Sequence, residues 1–185
     1  MIVLWIVVGV LVVLLLWVVL AYNSLVRLRN EAEQGWANID VQLKRRADLI
    51  PNLVETVKGY AAHERETFDE VTRARTALQQ AHTPAEASAA NAQAEQGVNK
   101  LIAVAEAYPE LKASQNFLAL QEELTDTEDK IAAARRYYNA TVLRLNTKIQ
   151  SFPTLLVAGA TGFEPKELFE LADASDAQPV QVSLQ

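Results

Sequence analysis

Cysteine is absent from all 185 residues, which excludes disulfides, Fe–S clusters, thiolate zinc sites and a cysteine-linked lipid anchor. Histidine is scarce, with only His63 and His82. A ferritin-like metal centre needs Glu-x-x-His on two helices, yet Tyr60 and Gln79 stand three residues before the two histidines. His63-Glu64 lacks the second histidine of a zincin, because position 67 is Thr. An excess of basic charge is missing too: 17 Lys and Arg against 23 Asp and Glu give a net charge of -6. That balance disfavours nucleic acid, whose phosphates demand a basic face. Nucleophilic catalysis has no obvious frame, since Ser151, Thr154 and Thr161 have no histidine near them in sequence. The GATG of residues 159–162 has no following Lys and is no phosphate loop, so it is expected to be a flexible corner. No cofactor, metal or small-molecule substrate is therefore expected, and an enzyme, whether hydrolase or metal enzyme, is the least supported reading.

What is present is unevenly placed. Residues 1–26 carry no Lys, Arg, Asp or Glu, although these types make up 22% of the chain. The run IVLWIVVGVLVVLLLWVVLA, residues 2–21, is long enough at 1.5 Å per residue to cross a hydrocarbon core of roughly 30 Å. It exceeds the core of a signal peptide and has no basic residue before it, which favours a retained transmembrane anchor over residues 1–22. Trp5, Trp17 and Tyr22 fit interfacial anchoring. Arg27 and Arg29 after the run favour an outside N-terminus and a cytoplasmic domain.

Beyond the anchor an apolar or small residue recurs at steps of three and four through Leu25, Leu28, Ala32, Trp36, Ile39, Leu43, Ile50, Leu53, Val57, Tyr60, Phe68, Val71 and Leu78. This is the narrow seam of a bundle or coiled-coil helix. Because the seam keeps its phase across Pro51, one helix over 24–80 with a kink at Pro51 is expected, with two helices as the alternative. Thr83, Pro84 and Glu86 form the signature of a new helix start: N-cap, first-turn proline and capping box. The helix that follows is weakly apolar and contains Gly97, so its first half should be the least stable. A third pattern runs from Glu110 to Ile149 and closes at Phe152-Pro153. The expected fold is all-α: a transmembrane helix, an antiparallel up-and-down bundle of three to four helices over 23–152, and a mostly irregular acidic tail over 153–185. Within that tail KELFELA, residues 166–172, could form a short helix.

Two charges interrupt the seam. Arg46 and Glu64 fall where apolar residues belong, so each is expected either to pair across the bundle or to face a protein partner. Trp36 reads as a core residue, and Tyr138 as buried beside a solvent-reaching Tyr137. In the tail, Phe163, Leu168, Phe169 and Leu171 are apolar groups that dock either on the parent bundle or on another protein. Val180, Val182 and Leu184 alternate with polar residues in the manner of a strand that could add to a partner's sheet edge, although so short an alternation after Pro179 favours a disordered end.

The stretch YNSLVRLRNEAEQGWANIDVQLKRRADLIPNLVETVKGYAAHE, with AEAYPELKASQNFLALQEELTDTEDKIAAARRYYN further on, resembles the LemA family of bacterial membrane proteins. The resemblance implies an N-terminal transmembrane helix, a bundle of long helices and a bacterial inner-membrane location. It brings no established enzymatic activity, cofactor or catalytic residue. Together these readings lead to a non-enzymatic scaffold or adaptor, tied to the lipid bilayer by residues 1–22, that holds protein partners or copies of itself. The alternative is a membrane-associated regulator that senses lipid or envelope stress.

Overall fold

A computed structural model describes residues 1–61 and 63–169. Six helices make up its regular structure: α1 (Ile2–Lys58), α2 (Arg65–Gln80), α3 (Pro84–Glu106), α4 (Pro109–Lys112), α5 (Gln115–Gln150) and α6 (Thr154–Thr161). No strand occurs among the described residues, and the all-α helical bundle is as expected. The chain divides into two compact units, one of Met1–Asn38 with Ala134–Leu168, the other of Ile39–Ala133 with Phe169.

The second unit packs parts of α1 and α5 with α2, α3 and the single turn α4. Ile39, Leu43, Ile50, Leu53 and Val57 of α1 are buried, as are Phe68, Val71 and Leu78 of α2, Leu101 of α3, and Leu124 and Ile131 of α5. The helix does not break at Pro51, which lies inside α1. Proline has no N–H to offer the carbonyl four residues back, which is that of Ala47. Arg75 of α2 supplies the missing donor, its Nε–H reaching the Ala47 oxygen at 3.0 Å. The expected single helix over 24–80 ends instead at Lys58, with a turn at residues 59–60, and α2 starts only at Arg65. Gly59 opens that turn, where helix propensity is poorest, and Tyr60, a seam position, is left 45% exposed.

The capping box forms as read: Glu86 N–H donates to Thr83 Oγ1 at 3.2 Å, and the Glu86 carboxylate accepts from the N–H groups of His82 and Thr83. The weak apolarity of α3 has a packing counterpart. Ala87, Ala90, Ala94 and Gly97 are a buried face of small side chains. A Cβ on Gly97 would lie 2.7 Å from Val71 Cγ2, so this glycine admits α2 at close range. The paired positions Glu70 with Lys100 and Val71 with Gly97 show the two helices antiparallel. The third expected helix is interrupted at residues 113–114, which separate the single turn α4 from α5.

In the first unit, residues 1–20 of α1 are exposed apart from a half-buried Trp17, and burial starts at Ala21 and Leu25. Contacts between Ser24 and Lys148, Glu31 and Arg144, and Trp36 and Tyr138 run in opposite order along α1 and α5, which are antiparallel here. Gly35 allows their approach: a Cβ there would sit 3.3 Å from the Tyr138 Cα. Residues 154–161, expected to be irregular, form α6, which ends at Gly162 in a left-handed conformation (φ 71°) with Gly162 N–H and Phe163 N–H both donated to the Ala158 oxygen. The GATG corner is thus a helix stop. Residues 166–169 of KELFELA are not helical, and Leu171 lies outside the described residues.

Candidate functional site

Two places gather polar side chains with structural consequence, one in each unit. The first surrounds Arg46, one of the two charges on the apolar seam. Its side chain is only 4% exposed. One guanidinium nitrogen donates to Asn91 Oδ1 of α3 at 2.6 Å, and another pairs with the Glu128 carboxylate of α5. Burial pushes the guanidinium down to about 10, opposed by the nearby Glu95 carboxylate, so it stays charged at neutral pH. Beside it lies a cleft of about 180 Å³ lined by Glu95, Val98, Leu124 and Asp129 among others. Of the two readings of Arg46, pairing inside the bundle is the one observed. Its neighbours are neutralised as well, Lys44 by Asp40 at 2.6 Å and Arg45 near Asp126 at 3.8 Å. Hydrogen bonding from Lys130, reinforced by the Lys130 and Arg45 charges, lowers the Asp126 carboxyl below its usual range. Arg46 is therefore held inside the bundle, whereas Lys44 and Arg45 make surface pairs and stay solvent-exposed. Glu64, the other seam charge, stands half-buried at the N-cap of α2, where it makes no side-chain capping bond.

The second place is built by the segment 163–168, which returns along α5 in the first unit. Phe163 meets the Tyr22 ring edge-on at 5.9 Å and lies under the Arg29 guanidinium at 5.3 Å. Asn146 holds the Lys166 backbone from both sides: its Oδ1 accepts from Lys166 N–H at 2.9 Å, and its Nδ2 donates to Lys166 O at 2.8 Å. Tyr138 Oη–H donates to Glu167 O at 2.8 Å, and the Lys166 ammonium approaches Glu33 at 3.6 Å. Burial, with the Glu167 charge, raises the Tyr138 phenol above its ordinary value. Tyr138 is buried and Tyr137 half-exposed, the split expected from the seam. Trp36 is half-buried, 6.0 Å from Tyr138. Phe163 and the buried Phe169 thus belong to the chain's own packing, while Leu168 is 41% exposed. Val180, Val182 and Leu184 lie outside the described residues.

The pins Asn146 and Tyr138 were not singled out as functional from sequence, because an amide or phenol bonding a distant backbone leaves no periodic mark. Chemically, both places are clamps. Among the described residues no three His, Asp or Glu side chains gather as a metal-binding group.

The sequence matches the LemA family over residues 35–184. The chain belongs to the LemA family. It is 29% identical over 164 residues to the protein LemA of Metamycoplasma hominis, covering 86% of this chain and 72% of that one. It is 26% identical over 181 residues to magnetosome protein MamQ 2 of Paramagnetospirillum magneticum, and 25% identical to MamQ of Magnetospirillum gryphiswaldense, each alignment covering 84% of this chain. The chain spans 66% of the length of those MamQ proteins. The match to LemA covers Arg46, Asn91, Glu128, Tyr138, Asn146 and residues 163–168, while Tyr22, Arg29 and Glu33 of the second clamp lie before it. The apolar run does not fall there; it stands on its own length and composition, as the one helix among the described residues apolar enough to cross a membrane.

Proposed function

We propose that this LemA-family protein is a membrane-anchored helical scaffold that holds partner proteins, or copies of itself, at the bacterial inner membrane with the bundle in the cytoplasm. One observation carries the reading: the polar groups drawn into the packing, Arg46, Asn91, Tyr138 and Asn146, are bonded to other parts of the chain, whereas residues 1–20 are apolar and exposed apart from a half-buried Trp17. Arg46, Lys44, Asn146 and Tyr138 all have partners within the chain, and each bond orders a helix or a strap rather than presenting a reactive atom. An uncovered apolar run of this length is stable in lipid and costly in water. Arg27 and Arg29 directly after it support the cytoplasmic side for the bundle. Relatives named for the magnetosome fit a protein that works inside an assembly.

The test has two parts. Membranes from cells making the full chain, washed with alkaline carbonate, should retain it, and release into the supernatant would end the anchor reading. Detergent extracts of the same membranes should give a cross-linked complex above the monomer that persists at low expression. A monomer alone, under conditions that capture a known membrane oligomer, would end the scaffold reading.

A further inference from the structure

The most exposed large apolar side chains outside the span of residues 2–20 include Phe152 (79%) and Leu156 (64%), with Leu155 at 47%. They are close in sequence, at the end of α5 and the first turn of α6, and residues 151–162 contain no ionisable side chain. Their position follows from the first unit alone. There α5 runs antiparallel to α1, with Arg144 opposite Glu31 and Lys148 donating to Ser24. Ser24 is three residues beyond the end of the apolar run. Continuing α5 from Lys148 to its end at Gln150 therefore carries the chain about 3 Å further toward the run, and Phe152 follows in the turn directly after it. Val157 and Ala158 on the other side of α6 are buried, which fixes the face that Leu155 and Leu156 present. Tyr22, packed on Phe163, adds an aromatic group at the same end of the unit.

We propose that Phe152, Leu155 and Leu156 form a second membrane contact, dipping into the interfacial layer of the bilayer that α1 crosses. The occupant is lipid because the patch is continuous with the level at which the span leaves the hydrocarbon, and because its flanks carry the cations Lys148 and Arg27 that suit anionic headgroups. This contact rests on the reading of residues 2–21 as a span. It adds that the end of α5 and the start of α6 lie against the surface, which would fix the tilt of the first unit.

The absence of native cysteine makes the test direct. Full-length Phe152→Cys, Leu156→Cys, Leu11→Cys and Leu143→Cys chains would be labelled with an environment-sensitive fluorophore and reconstituted in phosphatidylethanolamine–phosphatidylglycerol vesicles. Some vesicles would carry lipids with a quencher at shallow or deep acyl positions. Leu143 is an exposed α5 residue about two turns back from the patch and serves as the aqueous reference. Probes at 152 and 156 should be blue-shifted and quenched at least twofold more by shallow-quencher lipid than the probe at 143. If 11 is quenched by the deep lipid but 152 and 156 behave like 143, the span stands and the second contact is wrong. If 152 and 156 are shielded from aqueous iodide yet untouched by quencher lipid, a protein surface covers them and the proposal again fails. If 11 is not quenched, the anchor reading fails first and takes this one with it.

Discussion

The two units handle interior polarity in opposite ways. In the unit of Ile39–Ala133 a full charge, Arg46, is drawn inside and held by Asn91 and Glu128 from two other helices. In the unit that carries the apolar run, the interior polar groups include the uncharged Thr141, which accepts from Arg144, and Tyr138 and the half-buried Asn146, which hold the backbone of Lys166 and Glu167. A buried guanidinium is tolerable only with its acceptors in place, so it makes one arrangement of α1, α3 and α5 strongly preferred over near alternatives. A neutral pin carries no such penalty and can be released without leaving a charge behind. Large losses are therefore expected from disturbing the first device and local loosening from the second.

The largest effect should come from a carboxylate placed in the charged unit's apolar interior. Ile131 is buried, and Ile131→Asp would put an unpaired charge there at a cost of several kcal/mol, against a total stability of about 5–15 kcal/mol. Circular dichroism should show most of the helicity of this unit lost, and an unchanged melt would mean that the α5 seam is misplaced. Next comes Asn91→Leu, which deprives the Arg46 guanidinium of an acceptor and should cost about 1–3 kcal/mol. The double variant Arg46→Met with Asn91→Leu should recover part of that loss, because the charge is removed along with its acceptor. Strict additivity in the cycle would show that Arg46 does not depend on Asn91.

The glycines compare the units directly. Gly97→Ala gains up to about 1 kcal/mol of helix propensity but drives a methyl to 2.7 Å from the stiff Val71 side chain, so overpacking of about 1–3 kcal/mol should win. Gly35→Ala meets the Tyr138 backbone at the less severe 3.3 Å, and its net change should be smaller. Melting curves that rank the two the other way would mean that α1 and α5 cannot give even a few tenths of an ångström. Asn146→Leu should barely move the melt yet markedly speed hydrogen exchange at the Lys166 amide, which loses its acceptor.

How much of this was legible depended on whether a feature was periodic. Leu25, Ile39, Leu53, Val71, Ile131 and Leu145 repeat at helical spacing, and they are buried where the seam put them. The capping box was legible for the same local reason. The helix was rightly expected to run through Pro51, but spacing could not show what serves the orphaned Ala47 carbonyl there, because Arg75 lies far along the chain. The first helix ends at Lys58, just before Gly59, and the seam could not show it because Val57, Ala61 and Phe68 keep helical spacing across the break. The two charges on the seam had separate causes that spacing could not distinguish: Arg46 is paired in the interior, whereas Glu64 sits at a helix start. The strap of residues 163–168 was hidden because its bonds join side chains to backbone 20 or 29 positions away.

The smallest expected effect is the acid sensitivity of the capping box, and its sign follows from the direction of one shift. Backbone N–H groups of His82 and then Thr83 hold the Glu86 carboxyl below its ordinary value, with the His82 charge and the Thr83 hydroxyl adding to the effect and desolvation opposing it. A carboxyl with a lowered folded-state pKa binds its proton more weakly in the folded chain than in the unfolded one. Its contribution is therefore fully present above the unfolded value, near 4.5, and is lost as pH falls through the lower folded value. Glu86→Gln keeps a side-chain oxygen that can accept the two N–H bonds but has no proton to gain, so the melting temperature of this variant should fall less steeply with acid below that point. The group is fully exposed, so the difference will be modest and is best read as a change of slope between parent and variant. Asp126, lowered by Lys130 and Arg45, titrates in the same acid range and supplies the control: Asp126→Asn should remove its own share of the slope and leave that of Glu86 intact. Parallel acid limbs for Glu86→Gln and the parent would mean that the box is held by Thr83 alone.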